Sequence, residues 1–179
     1  MYTIEQEKGR LDDLTVSLVG DLKHGRTVHS LMYLLALYRN SARLVSPESL
    51  RMPDHIVEAM KSKSLGVEET EGLRAAARVS DVMYVTRVQK EKFQDPAEYE
   101  RVKGAYVLTP GLVAEAKEGI TFMHPLPRVD EIAVETDAYR GTAYFRQAAN
   151  GVPTRMALLT MVTGTPRSTT RGSRRGSPG

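Results

Sequence analysis

Five short strand-like runs, Leu14 to Val19, Ala42 to Val45, Val67 to Thr70, Val82 to Val85 and Ile120 to Met123, are separated by stretches with helical spacing. Strands that alternate with helices cannot be joined by hairpins. They must cross over and pair in parallel, with right-handed connections. The clearest helical stretch follows the first run, where Val28, Leu31, Leu35 and Tyr38 recur at intervals of three and four and share one face. Met52 to Ser64 reads as a second helix, and Pro110 to Lys117 as another, with proline suited to a first turn. After the fifth run the pattern is helical from about Ala143 to Thr163, with Gly151 and Pro153 inside it. Proline within a helix removes a hydrogen bond and costs about 3 kcal/mol, so a kink or break is expected there. Met32, Met156 and Met161 read as core fillers. Glu98, Glu100, Arg101 and Lys103 read as a solvated helix face, and Asp130 with Glu131 as an acidic pair in a first helical turn.

A length of 179 residues suits one domain, and 41% hydrophobic with 26% charged residues is ordinary for a globular chain. The net charge of +3 points weakly to a nucleic-acid partner, but the last fifteen residues hold Arg167, Arg171, Arg174 and Arg175 and no acid. Without those four charges the rest of the chain stands at −1, so nucleic acid is not an expected partner. Residues 1–164 read as the folded domain and 165–179 as a disordered basic tail, because Ser, Thr, Gly, Pro and Arg bury no core. Absence of cysteine favours a cytoplasmic address. The polar start and the lack of any long apolar run give no expectation of a signal peptide or a membrane span.

Three motifs follow strand-like runs: GDLKHGRTVHS (Gly20 to Ser30), TRVQKE (Thr86 to Glu91) and MHPLPRVDEI (Met123 to Ile132). In an open α/β sheet, ligands bind in the crevice beyond the carboxyl ends of the strands. Arg26, Arg87 and Arg128 come from three such ends, and guanidinium forks pair with carboxylates or phosphates. Gly20 to Thr27 almost fits the phosphate-binding G-x-x-x-x-G-K-[ST] loop, with Arg26 in place of lysine. A nucleotide-binding domain remains an alternative on that ground. It is disfavoured because the fourth run ends in Thr86 and Arg87, where a magnesium-holding aspartate belongs.

Taken together and in this order, the three motifs resemble those of the aspartate carbamoyltransferases, and specifically their carboxyl-terminal, aspartate-binding domain. The resemblance covers roughly Tyr2 to Gly164 and implies a Rossmann-like three-layer fold within the aspartate/ornithine carbamoyltransferase superfamily. It also implies roles. Arg26 and Arg87 match the arginines that hold the two carboxylates of L-aspartate, and Gln89 matches a side chain that helps to orient it. Leu126 and Pro127 match positions whose backbone contacts the carbamoyl group of carbamoyl phosphate, with a cis peptide bond between them. His124 begins that loop, and Pro125 and Arg128 belong to it. Lys23 and Thr27, with Asp21, match supporting loop positions. The ornithine branch carries cysteine in the loop equivalent to HPLP, which favours the aspartate branch here.

By the same resemblance the phosphate site lies in an amino-terminal domain with a Ser-Thr-Arg-Thr loop, which this sequence lacks. The family is homotrimeric, uses no metal or other cofactor, and completes its active sites largely through that domain. Little or no activity is therefore expected of this chain alone. A larger multifunctional polypeptide, a truncated gene product, or a non-catalytic fragment that only associates with other subunits would each account for the missing half. Pro153 and Thr154 depart from the apolar helix that the family carries at that point.

Overall fold

A computed structural model describes residues 1–164. In chain order the elements are α1 (Tyr2–Lys8), β1 (Thr15–Val19), α2 (Arg26–Leu35), β2 (Ser41–Val45), α3 (Asp54–Lys61), β3 (Gly66–Thr70), α4 (Leu73–Ala77), β4 (Val82–Val85), α5 (Pro96–Val102), α6 (Pro110–Glu115), β5 (Thr121–Met123) and α7 (Tyr144–Thr163). All pairings are parallel, in the order β3-β2-β1-β4-β5. The expected five-stranded parallel sheet is therefore present, and each strand begins within a residue of its strand-like run.

Alternation along the strands divides the core between two faces. Val16 and Leu18 of β1, Ala42 and Leu44 of β2, and Val82 and Tyr84 of β4 pack with Val28, Leu31, Met32 and Leu35 of α2 and with Ile56, Val57 and Met60 of α3. Val19, Val45, Met83, Val85 and Phe122 point the other way, onto Ala76 and Ala77 of α4 and Leu112 of α6. The result is a helix–sheet–helix stack. Each large apolar side chain fully withdrawn from water contributes roughly 1.5–3 kcal/mol.

The strand order fixes where a site can form. From β1 the chain winds outward through β2 to β3, then returns to the other side of β1 as β4 and continues to β5. The crevice at such a reversal opens beyond the carboxyl ends of β1 and β4. Gly20 closes β1 at φ 108°, and any side chain there would collide with the Thr86 carbonyl at the end of β4. Thr86 in turn donates from both its backbone N–H (2.8 Å) and its hydroxyl (3.0 Å) to the Val19 carbonyl. The two loops leave the sheet locked together.

Three expectations need correction. Helix α7 runs through Gly151 and Pro153 without a break. Its first half is anchored: Tyr144 is buried, Asn150 donates to the Thr3 hydroxyl (3.1 Å), and Arg146 forks onto Glu7 (2.6 and 2.8 Å). Met32 is buried as expected, but Met156 and Met161 lie on the second half of α7 and are 62% and 81% exposed. Apolar type alone does not say which surface a residue meets. Asp130 and Glu131 occupy an irregular loop ahead of a short 3-10 turn over Val134–Ala138, and Glu131 is buried. The expected solvated face of Glu98, Glu100, Arg101 and Lys103 is exposed on and just after α5. Among the described residues, no helix is long and apolar enough to cross a membrane. The expected disordered tail falls on residues 165–179, outside the described residues.

Candidate functional site

The three motifs follow β1, β4 and β5, which lie side by side, so all three loops emerge at one edge of the sheet. The first loop is organised by Asp21, which is fully buried. Its carboxylate accepts from the His24 backbone N–H (3.0 Å), contacts His24 Nδ1 (3.1 and 3.2 Å), and receives a long contact from the Gln89 N–H (3.5 Å). One carboxylate therefore shapes its own loop and ties it to the loop after β4. Lys23 is exposed. Arg26 and Thr27 open α2 immediately after Gly25 and are exposed as well.

Arg26 and Thr27 line an open cleft of ≈ 730 Å³ together with Tyr84, Gln147, Asn150 and Arg155. Tyr84, on β4, is buried beside the cleft, with the side chains of Thr27 and Gln147 near its hydroxyl. Burial pushes that phenol above its ordinary range, although the nearby Thr27 and Gln147 side chains pull the other way. It acts as a neutral hydroxyl at physiological pH.

Arg87 lies just past β4 on the second loop, with its side chain 36% exposed and its guanidinium paired to Glu91 four residues on. Hydrogen bonding from its own backbone N–H, then from Arg87, holds the Glu91 carboxyl below the usual range. Gln89 is partly buried between this loop and Asp21. Beyond it, Phe93 meets the His24 ring edge-on at 6.2 Å and the Tyr99 ring at 5.7 Å, and the Lys90 ammonium sits 5.7 Å above Tyr99. These contacts join the first and second loops a second time.

The third loop, from His124 to Glu131, contains a cis bond between Leu126 and Pro127, as the family resemblance implied. His124 and Glu131 are both buried, with Pro125 and Leu126 partly exposed between them. Arg128 is turned to a structural partner. Its fork engages both Asp137 oxygens, one at 2.7 Å, and it lies over the Tyr144 and Phe145 rings at 5.5 and 5.6 Å. Hydrogen bonding from Arg128 holds the Asp137 carboxyl below its ordinary range. Of the three arginines expected to face a ligand, Arg128 is thus committed to the fold, Arg26 lines the open cleft, and Arg87 stands outside that cleft's lining, paired with Glu91 on the loop after β4.

Sequence reasoning placed Arg26, Arg87, Gln89, Leu126 and Pro127 on the loops of one edge. It missed Tyr84, hidden in an apolar run, and Gln147, whose side-chain oxygen accepts the His124 N–H (3.0 Å) from across the domain. It also missed Glu131, which resembled an ordinary capping acid. No local signal marks any of the three. Among the described residues, no group of three or more His, Cys, Asp or Glu is placed to hold a metal ion.

The chain is 51% identical over 164 residues to the aspartate carbamoyltransferase catalytic subunit of Thermococcus gammatolerans, covering 92% of this chain and 53% of that protein. It is 49% identical over 164 residues to the multifunctional protein CAD of Squalus acanthias, of which it covers 7%. Among solved structures, the catalytic subunit of M. jannaschii aspartate transcarbamoylase superposes with a TM-score of 0.84 at 46% identity, over 92% of this chain and 54% of that one. The Trypanosoma cruzi enzyme in complex with aspartate and phosphate superposes at 0.76 with 39% identity, over 88% of this chain and 49% of that one. The chain thus spans about half the length of the carbamoyltransferase subunits it matches. The family model for the aspartate/ornithine carbamoyltransferase Asp/Orn binding domain matches residues 12–162, and this chain belongs to that family.

Proposed function

We propose that this chain is the aspartate-binding half of an aspartate carbamoyltransferase, which joins carbamoyl phosphate to L-aspartate and releases N-carbamoyl-L-aspartate and phosphate in pyrimidine biosynthesis. The observation that carries the reading is the convergence of the three motif loops at adjacent strand ends, in a chain about half identical to aspartate carbamoyltransferase subunits. Arg26 and Arg87 each take one carboxylate of aspartate, and Gln89 orients the amine between them. Charge-assisted hydrogen bonds contribute on the order of 1.5–3 kcal/mol each. Glu91 keeps the Arg87 fork extended until the ligand carboxylate arrives. The Leu126–Pro127 backbone offers carbonyl oxygens to the carbamoyl amide, and His124, Pro125 and Arg128 hold that loop in shape. Lys23 and Thr27 flank the Arg26 end of the crevice.

The reaction is attack of a neutral amine on a carbonyl carbon, with phosphate leaving. Fixing amine and carbonyl in near-attack geometry lowers such a barrier by roughly 7–11 kcal/mol. Stabilisation of the developing oxyanion is the other large contribution, and it comes from the part of the relatives that this chain does not span. The working enzyme is therefore this domain joined to a carbamoyl-phosphate-binding partner, on a separate subunit or within a longer polypeptide, and assembled as a trimer. The cysteine-free sequence weakly favours a cytoplasmic location.

Isothermal calorimetry with succinate and L-aspartate tests the reading. Weak but measurable binding is expected, lost in Arg87→Ala and in Arg26→Ala with the fold unchanged. A chain that binds neither dicarboxylate, or binds both equally well without Arg87, contradicts it.

A further inference from the structure

The loop after β5 is closed by two of its own side chains. His124 Nδ1 accepts the Leu126 backbone N–H at 2.9 Å. The Glu131 carboxylate receives the backbone N–H groups of Val129 (3.3 Å) and Asp130 (3.2 Å). The two side chains then meet, with His124 Nε2 2.8 Å from Glu131 Oε1, at 1% and 6% side-chain exposure. Nε2 lies off the ideal hydrogen-bond line and finds no other partner among the described residues, so the contact is one of close approach between the ring and the carboxylate. An amide N–H can only donate, so Nδ1 must keep its lone pair and the ring proton of neutral His124 sits on Nε2, facing the carboxylate. Although burial pushes the Glu131 carboxyl up, His124 and the loop N–H groups outweigh it and hold it ionised below the usual range. One residue thus ties down amide 126, the other ties down amides 129 and 130, and their contact closes a ring around Pro125 to Arg128.

We propose that His124 and Glu131 form a positioning pair that holds the Leu126–Pro127 carbonyls in place for the carbamoyl group without touching substrate. The inference rests on the aspartate carbamoyltransferase reading and adds a discriminating role to two residues. Because the pair acts on the carbamoyl-facing backbone and not on Arg26 or Arg87, its loss should weaken a ligand that carries a carbamoyl group and spare one that does not.

The test uses the full chain and two ligands, N-carbamoyl-L-aspartate and succinate, titrated by NMR. Glu131→Gln removes the charge at constant size. His124→Asn keeps an oxygen near the Nδ1 position for the Leu126 N–H but loses the reach to Glu131. Both variants are expected to weaken N-carbamoyl-L-aspartate about tenfold while leaving succinate within about twofold. Ring-nitrogen spectra of the unsubstituted chain are expected to show the Nε2–H form of His124. Equal losses for the two ligands, no loss for either, or a proton on Nδ1 each overturn the inference and leave the dicarboxylate reading standing. Succinate binding without N-carbamoyl-L-aspartate binding does the same. A chain that binds neither ligand overturns both.

Discussion

The two halves of α7 share a helix and differ in everything that holds a helix in place. From Tyr144 to Asn150, one side chain is buried, Gln147 supports the third site loop, and Arg146 and Asn150 reach α1. From Val152 to Thr163 every residue is exposed, yet Val152, Met156, Leu158, Leu159, Met161 and Val162 are large and apolar, and Arg155 is the single charge. A surface helix normally keeps its apolar residues to one stripe. Among the described residues nothing covers this apolar half-helix, and apolar patches of this extent are uncommon on monomers. The first half belongs to this domain's own core and the second does not. That contrast has energetic consequences at single positions.

The largest expected effect is on the core side. Phe122 on β5 is completely buried and packs near the start of α7. Phe122→Ala should cost about 3–5 kcal/mol in urea unfolding, through lost transfer energy and the cavity left behind. Leu159→Ala, an apolar truncation of similar kind on the bare half, should stay within about 0.5 kcal/mol. Comparable losses at the two sites would mean that the distal half is packed in solution. One step smaller is Gln147→Ala, which leaves the buried His124 N–H without its acceptor and should cost about 1–3 kcal/mol. Val152→Ala, little more than a turn further on, should cost almost nothing.

This contrast also separates what the sequence could and could not reveal. The inner strands were legible because a parallel strand buried on both faces is a nearly continuous apolar run, as in β4. The edge strand β3 is instead largely exposed and carries Glu68 and Glu69. The motif loops were legible because each follows a buried strand. The anchoring contacts were not legible. Glu131 meets His124 across seven residues of irregular loop, Arg128 meets Asp137 across nine, and Gln147 meets His124 across twenty-three. No helical or strand period brings such positions together, so Glu131 looked like a capping acid and Arg128 like a ligand contact. The Pro153 expectation failed for another reason. A proline costs helix stability locally, but it does not force a break where few other contacts compete with the helix.

Glu131 offers a pH test of the anchored side. Its carboxyl titrates below the ordinary range in the folded domain, so the unfolded chain binds more protons across that interval. Its stabilisation is present above the unfolded glutamate value of about 4.3 and is lost as pH falls through the folded value. Glu131→Gln should therefore be less stable than the parent at neutral pH, with the gap narrowing on acidification below about pH 4. Urea unfolding across that range measures it. A gap that stays constant with pH would show that Glu131 contributes through packing and not through charge.

The smallest expected effect on global stability comes from Pro153, and it probes the contrast most directly. Pro153 cannot donate to the Ala149 carbonyl, and alanine is favoured over proline in a helix interior by about 3 kcal/mol. Were the distal half part of the cooperative core, Pro153→Ala would raise the unfolding free energy by a large share of that amount. Because residues 152–163 are all exposed, the gain should instead appear only as local order. Hydrogen exchange at residues 154–162 should slow severalfold while the urea midpoint moves by less than about 0.5 kcal/mol equivalent. A matching rise in global stability would show that α7 folds as one unit to its end, and that its apolar second half is supported by this chain.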